Sequence, residues 1–119
     1  MIRINDILEK AGEYLSDSHL ALIQKAYVYS ASVHSGQVRL SGEPYLSHPL
    51  EVCNILVDMR LDADTIAAGL LHDSVEDSGV KVNELAEQFN NDVAAIVDGV
   101  TKIGKVTFNS KEEAQAENI

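Results

Sequence analysis

Apolar residues return every three or four positions along most of this chain, which is the period of a helix with one buried face. Ile4, Ile7, Leu8, Ala11 and Leu15 form the first stripe, and Leu20, Ile23, Tyr27 and Ala31 the second. Between them Ser16-Asp17-Ser18 offers N-cap chemistry, and Ser35-Gly36 predicts that the second helix stops near His34. Pro49 suits the first turn of a third helix and biases His48 toward its mouth, as the N-cap or a near neighbour; Leu50, Val52, Cys53, Leu56 and Val57 follow. A polar break from Asp58 to Asp64, with Asp62 or Asp64 as cap, leads into a fourth helix from Thr65 to Asp77. That segment is apolar over most of its circumference, which marks it as central. Val82, Leu85, Ala86 and Phe89 make a fifth stripe, and Val93, Ile96, Val97, Val100 and Ile103 a sixth, ended by Gly104.

No long segment alternates with the period of a strand. Gln37 to Leu40 reads as extended and Ser41-Gly42-Glu43-Pro44 as a turn, so the region from Gln37 to Tyr45 leaves room for at most a short hairpin in an all-α fold. From Lys105 to Ile119 the chain is mostly polar and reads as a weakly held helix or a frayed tail.

The 119 residues, 45% of them hydrophobic, are expected to form one domain spanning residues 1–119. A net charge of −10 repels a phosphate backbone and argues against broad nucleic-acid binding, although a metal ion with one or two cations can reverse the sign inside one pocket. Cys53, the only cysteine, permits neither an internal disulfide nor a cysteine-rich zinc site. No stretch reads as a membrane span or an export signal, and a reducing cytoplasm fits.

Chemistry concentrates at the end of the fourth helix, where His72-Asp73 and Glu76-Asp77 interrupt the most apolar segment. A spacing of four places Glu76 one turn above His72 and Asp77 one turn above Asp73, so the quartet lines one strip. Imidazole with carboxylate oxygen suits manganese, iron or zinc, and such an ion lowers the pKa of a bound water toward about 7. The plainer reading is a satisfied histidine beside solvated acids. Acids in a last turn, however, oppose the helix dipole and call for a compensating charge. His48 is the best further ligand; His34 reads as a structural residue at a helix end, and His19 as a surface residue. Arg39, with Ser41, Gly42 and Tyr45 nearby, could hold a base or a phosphate, or could simply pair with Glu43.

Three blocks of residues together carry a more specific signal: Gly36-Gln37-Val38-Arg39-Leu40-Ser41-Gly42-Glu43-Pro44-Tyr45 with His48-Pro49, then Leu71-His72-Asp73-Ser74-Val75-Glu76-Asp77, then Asp98-Gly99-Val100-Thr101-Lys102. They closely resemble the N-terminal HD-type hydrolase domain of the RelA/SpoT family. The resemblance runs over nearly the whole chain after the first helix, to Gln115-Ala116-Glu117-Asn118. It implies a helical HD fold holding Mn2+, with hydrolysis of guanosine tetra- and pentaphosphate (ppGpp and pppGpp) at the 3′ position to GDP or GTP plus pyrophosphate.

Position by position, the resemblance implies that His48, His72 and Asp73 are metal ligands, that Glu76 and Asp77 position and activate the attacking water, and that Arg39 and Ser41, with Tyr45 beside them, meet the nucleotide. Leu40 stands where relatives often carry a second basic residue. The family's later helix, with its Ala-Asp-Arg-Leu-His-Asn segment and last aspartate ligand, lies beyond Ile119. The chain is therefore expected to be an HD domain without its C-terminal helices, weakly active alone. The other class of function open to these residues is a non-catalytic helical module that binds a nucleotide or a protein, and metal content separates the two.

Overall fold

The computed structural model describes residues 2–34, 47–77 and 79–103, without the side chains of Ser47, Glu76 and Asp77. Within them the chain forms α1 (Ile4–Ala11), α2 (Asp17–Val33), α3 (Ser47–Asp58), α4 (Ala63–Asp77), α5 (Val82–Gln88) and α6 (91–103). No strand occurs among the described residues. The expected hairpin near Gln37 to Tyr45 and the polar tail from Lys105 lie outside them.

Caps fix most of the boundaries. Ser16 starts α2, its hydroxyl accepting from the His19 N–H at 3.3 Å. Asp62 rather than Asp64 caps α4, accepting from the Thr65 N–H at 3.2 Å, so this helix opens at Ala63, two residues before the expected start. Asp64 instead accepts from the Asn90 side chain at 3.0 Å, and Asn90 in turn caps α6 through the Val93 N–H at 2.7 Å. Helix α1 stops at Ala11, short of Leu15, because the chain turns there to reach the Ser16 cap. His48 lies within the first turn of α3 and not at its mouth. A proline in that turn needs no donor and has no carbonyl four residues back in the helix to strike.

Helix α4 is the axis of the bundle. Ile66, Ala67, Ala68, Leu70, Leu71 and Ser74 are all buried, covering its circumference as the apolar run predicts. Among α1 to α5, its most extensive contact is with α2 and its next with α3, while α1 bridges α2 and α3. The buried residues of α2 are Ile23, Ala26 and Ser30, with His34 buried just past its end. This face is rotated from the predicted one, which used Tyr27 and Ala31; both are only half-buried. Small side chains at 26 and 30 suit a close approach to α4. Leu85, Val93, Ala94 and Val97 bring α5 and α6 into the same core, and Tyr29 meets Phe89 edge to face at 5.5 Å.

Candidate metal centre

The second contact of α4, with α3, brings two histidines together. His48 sits in the first turn of α3 and His72 in the C-terminal half of α4; their ring centroids are 5.8 Å apart at an interplanar angle of 64°. Asp73 follows His72 directly, and its Oδ1 lies 3.0 Å from His72 Nε2. One ligand atom from each of His48, His72 and Asp73 falls within 4.8 Å of the others, and no other such group of three occurs among the described residues. Two imidazole nitrogens and a carboxylate oxygen at this separation form a donor set for a borderline divalent ion.

The electrostatics favour an ionised Asp73. Burial pushes its carboxyl up, but the hydrogen bond from His72 and the influence of His72, His48 and His34 outweigh burial and hold it below the usual carboxylate range. His72 Nδ1 lies 2.7 Å from the Gly69 carbonyl, one turn earlier on α4. This contact fixes the ring's orientation, with Nε2 as the atom that faces Asp73. Both side chains are about a fifth exposed, His72 22% and Asp73 17%, so the cluster is open to a solute.

The backbone of α4 runs on through Glu76 and Asp77, placing them one turn beyond His72 and Asp73. Their side chains, and all of Arg39, Ser41 and Tyr45, lie outside the described residues. His19 is exposed, as expected of a surface residue. His34 caps the C-terminus of α2, the structural place expected for it, yet it is also 3% exposed and close enough to Asp73 to influence its charge. The sequence carried a signal for the burial alone, since His34 continues the spacing of Ile23, Ala26 and Ser30 along the buried face.

Comparison with known proteins points the same way. Residues 26–119 match the family model described as an HD domain. A GTP pyrophosphokinase of Myxococcus xanthus is 54% identical over 110 residues, covering 90% of this chain and 14% of that protein. A guanosine-3′,5′-bis(diphosphate) 3′-pyrophosphohydrolase of Vibrio cholerae is 43% identical over 119 residues, all of this chain and 17% of that protein. The bifunctional (p)ppGpp synthase/hydrolase SpoT of Escherichia coli is 43% identical over 106 residues, 89% of this chain and 15% of that protein. The chain thus spans about a sixth of the length of these curated relatives. With its all-helical bundle and its histidine–aspartate pair on the central helix, the chain belongs to the HD domain family, among the RelA/SpoT proteins.

Proposed function

We propose that this chain is a manganese-dependent 3′-pyrophosphohydrolase module acting on guanosine tetra- and pentaphosphate in the cytoplasm. The observation that carries the reading is the convergence of His48, His72 and Asp73 within 4.8 Å, from two helices, in a chain 43% identical to a protein named for that hydrolysis. The donor set fits a divalent ion, because two imidazole nitrogens and a carboxylate oxygen are ligands that a borderline ion accepts together. When bound, such an ion polarises a phosphoryl oxygen and acidifies water.

The remaining work belongs to this chain's side chains. Glu76 and Asp77, one turn further along α4, take the proton of the attacking water and return one to the departing 3′ oxygen. Water adds to the phosphorus on the 3′ oxygen, the 3′ O–P bond breaks, and pyrophosphate leaves. Arg39, Ser41 and Tyr45 receive the guanine nucleotide, the arginine supplying a planar cation to a base or a phosphate. Among the described residues three protein ligands hold the ion, and a single carboxylate retains it weakly, so slow turnover is expected.

The test is pyrophosphate release from guanosine tetraphosphate with and without added Mn2+. Slow release that requires Mn2+ is expected. Asp73→Asn should abolish it with loss of metal, and Glu76→Gln should abolish it with metal retained. Release that ignores Mn2+ or survives Asp73→Asn would refute the assignment.

A further inference from the structure

Helix α6 is apolar on two sides, and the core takes up one of them. Val93, Ala94, Val97 and Thr101 are buried there. Ile96, Val100 and Ile103 recur at spacings of four and three along a second side, about a third of a turn away. Ile96 is half-buried, but Val100 is 48% exposed and Ile103 68%. Gly99 lies within this second stripe, and a methyl group on it would meet no described atom within 4 Å, which leaves a gap beside Val100. From Val93 to Ile103 the helix carries one acid and one cation, Asp98 and Lys102, and these hold each other at 2.9 Å. A chain of net charge −10 thus presents an apolar side on a segment with no net charge.

The stripe is its own complement. Reversing the helix about a two-fold axis between positions 99 and 100 sets Ile96 of one copy against Ile103 of the other, and each Val100 over the other's Gly99. Glycine at that point lets the two backbones approach closely. A charged partner finds little to read in this segment, because Asp98 and Lys102 already satisfy each other, and an anionic surface is repelled by the chain as a whole. The other exposed large apolar residues lack this symmetry. Val28 has no such companion on α2, and Ile55 and Met59 on α3 have no small residue between them to receive a second copy's side chain.

We propose that this side of α6 is an interface between two copies of the chain, packed antiparallel through Ile96, Gly99, Val100 and Ile103. One helix pair falls below the roughly 1,200 Å² of a tight interface, so the dimer is weak and forms in the upper micromolar range.

The test is sedimentation equilibrium of the 119-residue protein from about 10 µM to about 1 mM at low and at high NaCl, with helix content followed by circular dichroism. The unsubstituted chain is expected to pass from monomer toward dimer over that range. It should do so more readily at high salt, because screening weakens the repulsion between two copies of net charge −10. Val100→Asp, which sets two carboxylates against each other at the axis, should weaken association about tenfold or more, whereas Val28→Asp, a comparably exposed change on α2, should weaken it by about twofold or less. If Val100→Asp loses helix, Ile103→Asp takes its place with the same expectation. A chain that stays monomeric at the highest concentration in high salt would overturn the proposal. So would a folded Val100→Asp or Ile103→Asp variant that associates as the unsubstituted chain does, or association that Val28→Asp abolishes. Association that high salt weakens would mark an ionic contact in place of this apolar one, and the proposal would fall. Loss of helix in both α6 variants means that these side chains serve the fold alone, and the proposal fails.

Discussion

The Cys53 thiol is fully buried on α3 and donates to the Ile66 carbonyl of α4 at 3.3 Å; burial pushes its pKa up from 9.0 to about 12. At pH 8 the folded protein therefore holds about a thousandfold less thiolate than the unfolded chain, and alkylation by iodoacetamide should slow by about that factor in the native state. The sign for stability follows. A folded pKa above the unfolded one leaves stability whole below about pH 9 and erodes it as pH climbs from there toward 12. Native labelling as fast as in 8 M urea would show that α3 and α4 open freely. Two other buried side chains make the opposite prediction. Ser30 and Ser74 are fully buried, and among the described residues their hydroxyls meet no hydrogen-bond partner. Replacing either by Ala removes an unsatisfied group and improves helix propensity, so each variant should gain about 1 kcal/mol in urea unfolding. A loss instead of a gain would reveal that the hydroxyl is bonded through water. Neither serine was legible as a core residue, since a hydrophobicity pattern scores serine as surface. The histidine–aspartate pair was legible because charge-bearing side chains inside an apolar run stand out. The nearness of His34 to Asp73 was not, because it depends on which face of α2 meets α4.

At the scale of elements, the periodicity found every described helix, and the differences fall at faces and ends. The stripe chosen for α2 favoured Tyr27 and Ala31, whereas packing chose Ala26 and Ser30, whose small side chains contribute little to an apolar pattern but let two helices approach. The end of α3 shows a second kind of illegibility. Arg60 has φ 56, and the Leu61 N–H reaches the Leu56 carbonyl at 3.2 Å while the Arg60 N–H reaches that of Val57 at 2.9 Å. This is the six-to-one and five-to-two closure for which glycine is the usual residue. Arginine adopts the left-handed conformation at a cost of about 1 kcal/mol, and its guanidinium lies over the Tyr14 ring at 5.3 Å and 3.4 Å from Glu13. Both contacts are exposed and worth about as much together as the backbone strain. Arg60→Gly is therefore expected to leave the melting temperature within about 3 °C of the original, whereas Arg60→Ala, which keeps the strain and loses both contacts, should melt lower by several degrees. Equal melting of the two variants would mean that the left-handed residue is not strained.

The molecule as a whole is an acidic body in which, among the described residues, two imidazoles and one carboxylate converge, and this donor set separates specific ion binding from general charge neutralisation. A net charge of −10 opposes compaction, so any added salt should raise the melting temperature slightly by screening, with little regard for the cation. The cluster of His48, His72 and Asp73 adds a selective term on top. An ion that binds only the folded chain stabilises it by roughly 2.7 kcal/mol at a hundredfold excess over its dissociation constant, which in a chain of this size amounts to several degrees. Calcium prefers six to eight oxygen ligands, and the described ligand group offers it one carboxylate, whereas manganese and zinc accept imidazole nitrogen. At matched ionic strength, Mn2+ and Zn2+ should therefore raise the melting temperature by more than Ca2+ does, and Asp73→Asn should erase that difference while leaving the response to NaCl intact. Equal stabilisation by Ca2+ and Mn2+, unaffected by Asp73→Asn, would show that the protein responds to divalent ions through its surface charge and that the three residues do not act as a site.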